Sequence, residues 1–309
     1  MERLDSGSAV PAGLRGGIVA LGNFDGFHKG HQAVVGRAIA RARAEGRPAL
    51  VATFDPHPMR FFRPDSPWFR LTTMEQRARL IEAAGVDALF VFQFDRGFAA
   101  LSPEAFVQRW LVEGLGAAGV VTGEDFTFGK NRGGDVGLLA RLGAEHGFVA
   151  EAVAPVREGG ETVSSSRIRE ALRAGDCETA TRLLTRPFTI EGVVEHGDKR
   201  GRAIGYPTAN LPLDRYLRPR FGIYAVRGRL PDGRAVDGAA NLGVRPTFEP
   251  PKELLEPTFF DFSGDLYGQK IAVELVSFLR PEEKFDGIEA LQAQMARDCE
   301  EAKRRLHSL

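Results

Sequence analysis

Two histidines three residues apart, His28 and His31, lie in the stretch GNFDGFHKGH at residues 22–31. This stretch joins the first predicted strand to the first predicted helix, where open α/β sheets bind their ligands. Gly22 and Gly26 would let a nucleotide approach the backbone, and the N-terminus of a helix attracts phosphate. Imidazoles on the first helical turn could then stabilise the extra negative charge of a pentacoordinate phosphate. The spacing therefore predicts phosphate chemistry at this turn.

Two simpler interpretations of the same stretch are a solvated strand-to-helix turn and a metal site. Nothing nearby supplies a third metal ligand at a familiar spacing, so His28 and His31 alone make a poor metal site. Two histidines, three glycines and an aspartate occur within these ten residues. That density favours the phosphate site over a plain turn.

A second phosphate-binding candidate is the stretch VSSSRIRE at residues 163–170. Ser164 and Ser165 precede an amphipathic pattern and could cap the free N–H groups of a helix. Arg169 would then lie on the first turns of that helix, where a guanidinium can bind phosphate. The alternative is a plain N-cap followed by a surface arginine.

Two further candidates lie in loops after predicted strands. His57 stands between two prolines in TFDPHP, which predicts a rigid loop. Asp125 and Asp135 belong to the glycine-rich segment 123–137, where a carboxylate could bind ribose hydroxyls or Mg²⁺. A solvated face is the simpler interpretation of both aspartates.

The stretch HGDKRGRAIGYPTAN at residues 196–210 combines a glycine-rich basic loop with a Pro-Thr-Ala-Asn turn. Such a loop can bind phosphates through backbone N–H groups, although the stretch lacks the GxxxxGK[ST] pattern of a P-loop. Thr208 and Asn210 alternate onto one side of an extended segment and offer oxygen ligands to a hard cation. The pattern suits ATP bound with Mg²⁺, and a β-turn with an Asx-type cap is the alternative.

The elements that position these residues fall into two groups. Apolar runs at residues 18–21, 49–54, 88–94, 120–122 and 148–156 alternate with helical patterns, which predicts βαβ units and a parallel sheet. After residue 186, period-two segments broken by glycine and proline predict a β-barrel, followed by a helix from Asp286. We therefore predict domains at residues 1–186 and 187–309, and we expect residues 187–309 to fold alone.

Composition excludes several classes of protein. The 309 residues contain 41 Lys and Arg against 41 Asp and Glu, and no basic run occurs, so we expect small-molecule partners rather than nucleic acid or a membrane. No apolar stretch has the length of a membrane span, which predicts a cytoplasmic protein. Cys177 and Cys299 form no metal-binding or disulfide pattern. The sequence makes no prediction of the oligomeric state.

The complete set of motifs resembles the prokaryotic bifunctional riboflavin kinase/FMN adenylyltransferases, or FAD synthetases, over essentially the whole chain. The shared motifs are GNFDGFHKGH, TFDPHP, LSPEAFV, GEDFTFG, SSSRIR, RGRAIGYPTAN, NLGVRPTF, DLYG and EEKF. The resemblance implies a Rossmann-like nucleotidylyltransferase domain, then a β-barrel riboflavin kinase domain with a C-terminal helix. The implied reactions are phosphorylation of riboflavin to FMN by ATP and adenylylation of FMN to FAD, with Mg²⁺ as the metal.

The resemblance also implies roles for individual residues of the first domain. His28 and His31 would stabilise the α-phosphate, while Ser164, Ser165 and Arg169 would hold the β- and γ-phosphates. The nucleotide loop would comprise Gly22, Asn23, Phe24, Asp25 and Gly30. His57 and Asp125 would lie on the flavin side.

In the second domain, the resemblance makes Glu256 the catalytic base, by its spacing before DLYG. Thr208 and Asn210 would organise Mg²⁺. The phosphate-binding positions of the basic loop would be Gly197, Arg200, Gly201 and Gly205. Tyr206 in place of Phe, Ser166 in place of Thr and the Pro257-Thr258 pair depart from the family pattern without removing a proposed chemical group.

Three other functions compete with this interpretation. Another nucleotidylyltransferase of the same fold could act on a different small phosphate substrate, but the second domain argues against it. A flavin-binding protein without catalysis would not need every catalytic residue type, all of which are present. A tRNA synthetase shares HxGH, yet the chain lacks a KMSKS-like stretch and a basic RNA-binding surface.

Overall fold

The computed structural model describes residues 1–196, 208–245 and 252–308. Contacts divide the chain into two compact units. The first comprises Met1–Pro67 and Thr72–Ser164, and the second comprises Trp68–Leu71 and Ser165–Leu309. The sequence places the division between residues 186 and 187, and that domain boundary stays a prediction.

The first unit contains a six-stranded sheet, a short hairpin and six α-helices among its described residues. The sheet strands are β1 (Glu2–Asp5), β2 (Ile18–Leu21), β3 (Ala49–Asp55), β4 (Ala88–Gln93), β5 (Gly119–Gly123) and β6 (Val149–Val153), and the hairpin strands are β7 (Arg157–Glu158) and β8 (Glu161–Thr162). The helices are α1 (Lys29–Ala44), α2 (Pro58–Phe62), α3 (Met74–Ala83), α4 (Arg96–Ala99), α5 (Pro103–Phe106) and α6 (Val136–His146). A π-helical segment, Val107–Gly114, follows α5.

The strand order is β1-β4-β3-β2-β5-β6, and every neighbouring pair is parallel. This arrangement confirms the predicted α/β domain. From β2 the chain crosses to β3 on one side, while β5 lies on the other side, so the strand order reverses at β2. Open sheets bind ligands at the carboxyl ends of the strands at such a point. Residues 22–28 leave β2 there.

The core of this unit lies on both faces of the sheet. Val19 and Leu21 of β2 pack into a cluster rich in phenylalanine, whereas Ile18 and Ala20 pack into a second cluster that contains the apolar face of α1. Strands that are covered on both faces have continuous apolar sequences, and for this reason the sequence predicts β2 and β3. The polar strand β1 was missed, because only its Leu4 is buried.

The second unit contains helices α7 (Ser165–Ala174) and α8 (Cys177–Leu184), six strands and a long final helix. The strands are β9 (Phe188–Val193), β10 (Leu211–Pro212), β11 (Gly222–Arg229), β12 (Ala235–Arg245), β13 (Lys252–Phe259) and β14 (Lys270–Arg280), and the final helix is α9 (Ile288–His307). The strand order is β10-β13-β12-β11-β14-β9, with antiparallel pairs throughout.

A bridge between the two edge strands closes the sheet into a barrel. The N–H of Glu195, just after β9, donates to the carbonyl of Asn210, just before β10, at 2.9 Å. Closure removes the unpaired edges that an open sheet would expose. The structure thus confirms the predicted β-barrel.

The final helix covers part of the outer barrel surface, as the sequence predicts. Ala302 and Leu306 of α9 pack on Ala225, Ala239 and Val276 of the strands. The helix begins at Ile288 rather than at Asp286. Gly287 precedes it with a φ of 106°, and no side chain caps the first turn. A positive φ is most accessible to glycine, so this residue sets the start of the helix.

Cys177 and Cys299 are free thiols. Burial raises the pKa of Cys177 to about 12, and burial also raises the pKa of Cys299. Both thiols are therefore uncharged and weakly reactive at neutral pH. None of the helices in the described part of the chain is long and apolar enough to cross a membrane.

A barrel fragment that retains α7 and α8 is expected to be more stable than one that lacks them. Ala180, Leu183 and Leu184 of α8 are at most 2% exposed, and α8 packs on β9 and β14. Deleting the helices would expose the strand surfaces beneath them. We expect residues 187–309 to fold, but residues 165–309 to melt at least about 5 °C higher. Thermal unfolding followed by circular dichroism would measure both; equal melting temperatures would contradict this prediction.

Candidate functional site

His28 and His31 form a stacked pair at the start of α1. Their ring centroids lie 3.6 Å apart with an interplanar angle of 20°. His28 is the N-cap residue, and its Nδ1 accepts from the His31 N–H at 3.4 Å. A Cβ at Gly30 would lie 3.1 Å from the His28 ring, so the glycine provides the space for this ring. Two adjacent imidazoles therefore lie at the N-terminus of a helix, a combination that suits a developing negative charge.

The residues between β2 and the histidines differ in whether the backbone or the side chain is available to a ligand. Phe24 is 1% exposed and packs into the core, so only its backbone is available to a ligand. Gly22 lies against that ring, with its Cβ position 3.1 Å from Phe24 Cζ. The carbonyl of Asn23 accepts from Thr53 Oγ1 at 2.9 Å. Nucleotide binding by these residues stays a prediction.

Asp25 stabilises the turn through contacts with distant residues. Its Oδ1 accepts from the N–H of Thr72 at 3.1 Å and from Thr72 Oγ1 at 3.2 Å. The same oxygen lies 3.4 Å from Nη2 of Arg77 on α3, and both charged side chains are almost fully buried. Asp25 therefore fixes the loop before the histidines in this structure. Arg77 and Thr72 are the positioning residues that sequence reasoning missed.

Arg77→Met is expected to destabilise the first unit strongly. Removing one partner of a buried ion pair leaves the other charge uncompensated, which costs about 3–5 kcal/mol. Arg79→Met on the same helix is the matched control, because Arg79 is exposed. Urea unfolding would measure both free energies of unfolding. A loss below about 1 kcal/mol for Arg77→Met would show that Asp25 tolerates the change.

Aromatic residues surround the loop that contains His57. Nδ1 of His57 accepts from the Met59 N–H at 3.1 Å and caps α2. Phe61 and Phe62 of α2 pack edge to face with Phe94, and Phe62 is 65% exposed. An exposed ring beside a helix-capping histidine offers a stacking surface for a planar ligand. The sequence signal for this surface is the large number of phenylalanines, 22 of 28 aromatic residues.

The two aspartates of the glycine-rich segment differ in their surroundings. Asp135 is the N-cap of α6, where its Oδ1 accepts from the Leu138 N–H at 2.8 Å. Asp125 is exposed and follows β5 at the carboxyl edge of the sheet. Asp125 therefore keeps an accessible carboxylate at the ligand-binding edge, and its contact with flavin stays a prediction.

The serine-arginine motif lies at the division between the units. Ser164 ends the first unit, and Ser165 begins α7 in the second. Within the second unit, Nε of Arg169 donates to the Phe69 carbonyl at 2.8 Å, and the guanidinium lies 5.2 Å from the Phe69 ring centroid. These contacts hold Arg169 in place. The predicted role of Ser164, Ser165 and Arg169 in phosphate binding is not tested by them.

In the barrel, strand register places three polar residues in a row. Asn241 of β12 is paired with Glu256 of β13. Leu211 of β10 is paired with Leu255, and the Ala209 N–H donates to the Pro257 carbonyl, so Asn210 lies opposite Glu256 on the other side. Residues directly opposite share one face of a sheet. The sequence-predicted Asn210 and Glu256 are thus brought together, and Asn241 joins them.

Thr208 shares the face of Asn210, because the two are separated by one residue in an extended segment. Asn210 is 6% exposed, and its Nδ2 lies 3.5 Å from the Glu195 carbonyl. A hydroxyl, an amide oxygen and a nearby carboxylate are hard oxygen donors, which Mg²⁺ prefers. These residues therefore fit a site for Mg²⁺ bound with phosphates. Among the described residues, no group of three or more His, Cys, Asp or Glu side chains could hold a metal, so a cation here would depend on the hydroxyl and amide oxygens as well.

One charged residue contacts the Glu256 carboxylate, and a second contacts that residue in turn. Arg245 of β12 forms an ion pair with Glu256, whose side chain is 14% exposed. Nη1 of Arg245 lies 3.7 Å from Oε1 of Glu282, and the same oxygen accepts from Asn241 Nδ2 at 3.1 Å. Sequence reasoning matched NLGVRPTF and EEKF, which contain these three residues, without giving any of them a role. Gly197, Arg200, Gly201 and Gly205 lie outside the described residues.

Comparison with known proteins matches both halves of the chain. The family model described as FAD synthetase matches residues 11–167, and the model described as riboflavin kinase matches residues 184–306. A solved structure described as a macrolide-efflux protein from Streptococcus pneumoniae has a TM-score of 0.88 and 31% identity, covering 98% of this chain and 99% of that chain.

Curated relatives extend over nearly the whole length. The bifunctional riboflavin kinase/FMN adenylyltransferase of Escherichia coli (strain K12) is 39% identical over 92% of this chain and 90% of its own length. The proteins of the same name from Pseudomonas fluorescens and Bacillus subtilis (strain 168) are 41% and 39% identical, each over 94% of this chain and 93% of its own length. The chain therefore belongs to the family of bifunctional riboflavin kinases/FMN adenylyltransferases.

Proposed function

We propose that the barrel transfers the γ-phosphoryl group of ATP to the 5′-hydroxyl of riboflavin, and that the α/β unit transfers AMP from ATP to the resulting FMN and releases pyrophosphate. The observation that supports this best is that one chain holds two separate sets of residues. The Asn210–Glu256–Asn241 row lies on the barrel, and the stacked His28–His31 pair lies at the carboxyl edge of the parallel sheet. Each set has the groups that one of the two reactions needs.

The kinase reaction needs a base, because a primary alcohol is a poor nucleophile at neutral pH. We assign this role to Glu256, which would accept the hydroxyl proton as the new bond to phosphorus forms. Thr208 and Asn210 would hold Mg²⁺, which neutralises charge on the phosphates when bound. The basic loop, with Gly197, Arg200, Gly201 and Gly205, would bind the phosphates of ATP.

The adenylylation needs positive charge rather than a base, because the FMN phosphate is already an anion. Its difficulty is the repulsion between that phosphate and the triphosphate of ATP. His28 and His31, at the N-terminus of α1, would stabilise the charge on the α-phosphate. Ser164, Ser165 and Arg169 would bind the β- and γ-phosphates. His57 and Asp125 would contact the flavin side of FMN.

A time course tests both reactions together. The purified chain is incubated with riboflavin, ATP and Mg²⁺, and riboflavin, FMN and FAD are separated by chromatography. We expect FMN to appear first and FAD to follow. FMN alone would contradict the adenylyltransferase assignment. Absence of both products would contradict the proposal and favour a nucleotidylyltransferase acting on another small phosphate substrate.

We also propose the cytoplasm as the location and riboflavin, FMN and ATP as the partners. Both reactions consume ATP, which cells hold in that compartment. The equal numbers of acidic and basic residues, 41 of each, give no basic surplus for nucleic acid, so we expect no such partner.

A further inference from the structure

Asn241 has no role in the sequence-based assignments, yet it lies beside the proposed catalytic base. It is paired with Glu256 in the register of β12 and β13. Directly opposite residues in an antiparallel pair have Cβ atoms about 5 Å apart on the same face. A substrate hydroxyl that reaches the Glu256 carboxylate therefore comes within range of the Asn241 amide.

The orientation of this amide follows from its contact with Glu282. The Nδ2 atom of Asn241 donates to Glu282 Oε1 at 3.1 Å. An ionised carboxylate only accepts hydrogen bonds, so the NH₂ group must face it and the amide oxygen must face away. Chemistry therefore fixes which end of the amide is available.

The amide oxygen of Asn241 is buried and has no hydrogen-bond partner among residues 1–196, 208–245 and 252–308. Leaving a buried acceptor unsatisfied is unfavourable, and such atoms in native proteins call for an explanation. A ligand that donates a hydrogen bond is a direct one. Phosphate oxygens at neutral pH are chiefly acceptors, whereas the hydroxyls of a polyol chain are donors, so the alcohol substrate suits this atom better than the phosphates of ATP.

Gly243 makes the contact between Asn241 and Glu282 possible. A Cβ at position 243 would lie 2.3 Å from Glu282 Oε1, so any larger residue would displace that carboxylate. The same oxygen lies 3.7 Å from Nη1 of Arg245, which is paired with Glu256. One carboxylate thus contacts both the amide and the arginine that flank the base.

We propose that the Asn241 amide oxygen accepts a hydrogen bond from a ribityl hydroxyl next to the one that Glu256 deprotonates, and that Glu282 is its positioning residue. This inference rests on the proposed kinase function. It makes Asn241 a determinant of specificity for the polyol chain. The contact between Asn241 and Glu282 requires the space that Gly243 leaves for the Glu282 carboxylate.

The test combines one enzyme substitution with single-hydroxyl deletions in the substrate. Asn241→Ala and the wild type are assayed for phosphorylation of riboflavin and of its 2′-, 3′- and 4′-deoxy analogues. We expect Asn241→Ala to lower kcat/KM for riboflavin about tenfold or more. The 4′-deoxy analogue should show a similar loss with the wild type and no further loss with Asn241→Ala, because the same hydrogen bond is already missing. The other two analogues should give additive losses.

Two substitutions test the positioning role of Glu282. Glu282→Ala removes the acceptor that orients the amide, and Gly243→Ala displaces it without changing any charge. Both substitutions should lower the ratio of kcat/KM for riboflavin to kcat/KM for the same analogue. KM for ATP should change less than about twofold. Glu283→Ala is the matched control, because Glu283 is adjacent and its side chain is 57% exposed. We expect it to behave like the wild type.

Several outcomes would overturn the inference. Additive losses for all three flavin analogues would mean that Asn241 has only a structural effect. If the losses in kcat/KM were non-additive with 2′- or 3′-deoxyATP instead, the Asn241 amide would contact the ribose of ATP rather than the flavin substrate. If Asn241→Ala fails to fold, the same assays with the three analogues are made with Glu282→Ala and decide the question. Glu282 lies outside the strands, so its substitution is less disruptive to the barrel. FAD formation from added FMN reports folding of the adenylyltransferase unit, and a wild type that makes no FMN would contradict the kinase function instead.

Discussion

Glu256→Gln is expected to lower FMN formation from riboflavin about 10³-fold, while FAD formation from added FMN stays near the wild-type rate. Glutamine keeps the shape of the side chain and its place in the Asn210–Glu256–Asn241 row but cannot accept the hydroxyl proton. Glu256→Ala should have the same selective effect. The measurement is chromatographic separation of flavins with riboflavin or FMN as the starting substrate.

The control for this prediction is Glu274→Gln on β14. Glu274 has the same side-chain exposure as Glu256, 14%, and is likewise paired with an arginine, Arg229 at 3.0 Å. It therefore reproduces the loss of a strand ion pair without touching the proposed base. We expect its FMN formation to change less than about threefold. Equal loss in the two variants would mean that the barrel needs its ion pairs and that Glu256 is not the base.

His28→Ala is expected to have the opposite effect, lowering FAD formation about 10²- to 10³-fold while FMN formation continues. The imidazole stands at the N-terminus of α1 and is stacked on His31, so its removal takes a donor away from the α-phosphate. In the full chain, FMN should accumulate from riboflavin. The rate of each step is measured separately by starting from riboflavin or from FMN.

A second substitution separates the chemistry of His28 from its capping role. His28 also caps α1, and loss of an N-cap costs about 1 kcal/mol of stability. Asparagine is a good N-cap but cannot carry a positive charge, so His28→Asn should keep the melting temperature and still lose FAD formation. His146→Asn, at an exposed site in the last turn of α6, is the control. Wild-type activity in His28→Asn would show that the histidine acts only as a cap.

The opposite selectivity of the two substitutions is the decisive comparison. The remaining activity shows that the other unit is folded, and the melting transition of each variant shows whether the substituted unit is folded as well. Loss of both activities in both variants, with folding intact, would break the assignment of two sites. Selective and opposite losses would assign Glu256 to the kinase and His28 to the adenylyltransferase.

The sequence alone determined the fold class and the types of residue at each site. Strands β2 and β3 are buried on both faces, so their apolar runs were readable without knowing their neighbours. The stretch GNFDGFHKGH was readable for a related reason, since its residues are consecutive and their chemistry depends on a local strand-to-helix turn. Local patterns and contiguous motifs carry their information in the chain itself.

Tertiary structure decided which distant residues meet. The Asp25 carboxylate contacts Thr72 and Arg77, 47 and 52 positions away, so a residue predicted from its motif to bind nucleotide also holds the turn in place. The pairing of Asn241 with Glu256 depends on strand register, and a shift of one residue would turn either side chain to the other face. Glu282 reaches Asn241 because Gly243 leaves it room. These contacts depend on long-range packing, which no local pattern in the sequence encodes.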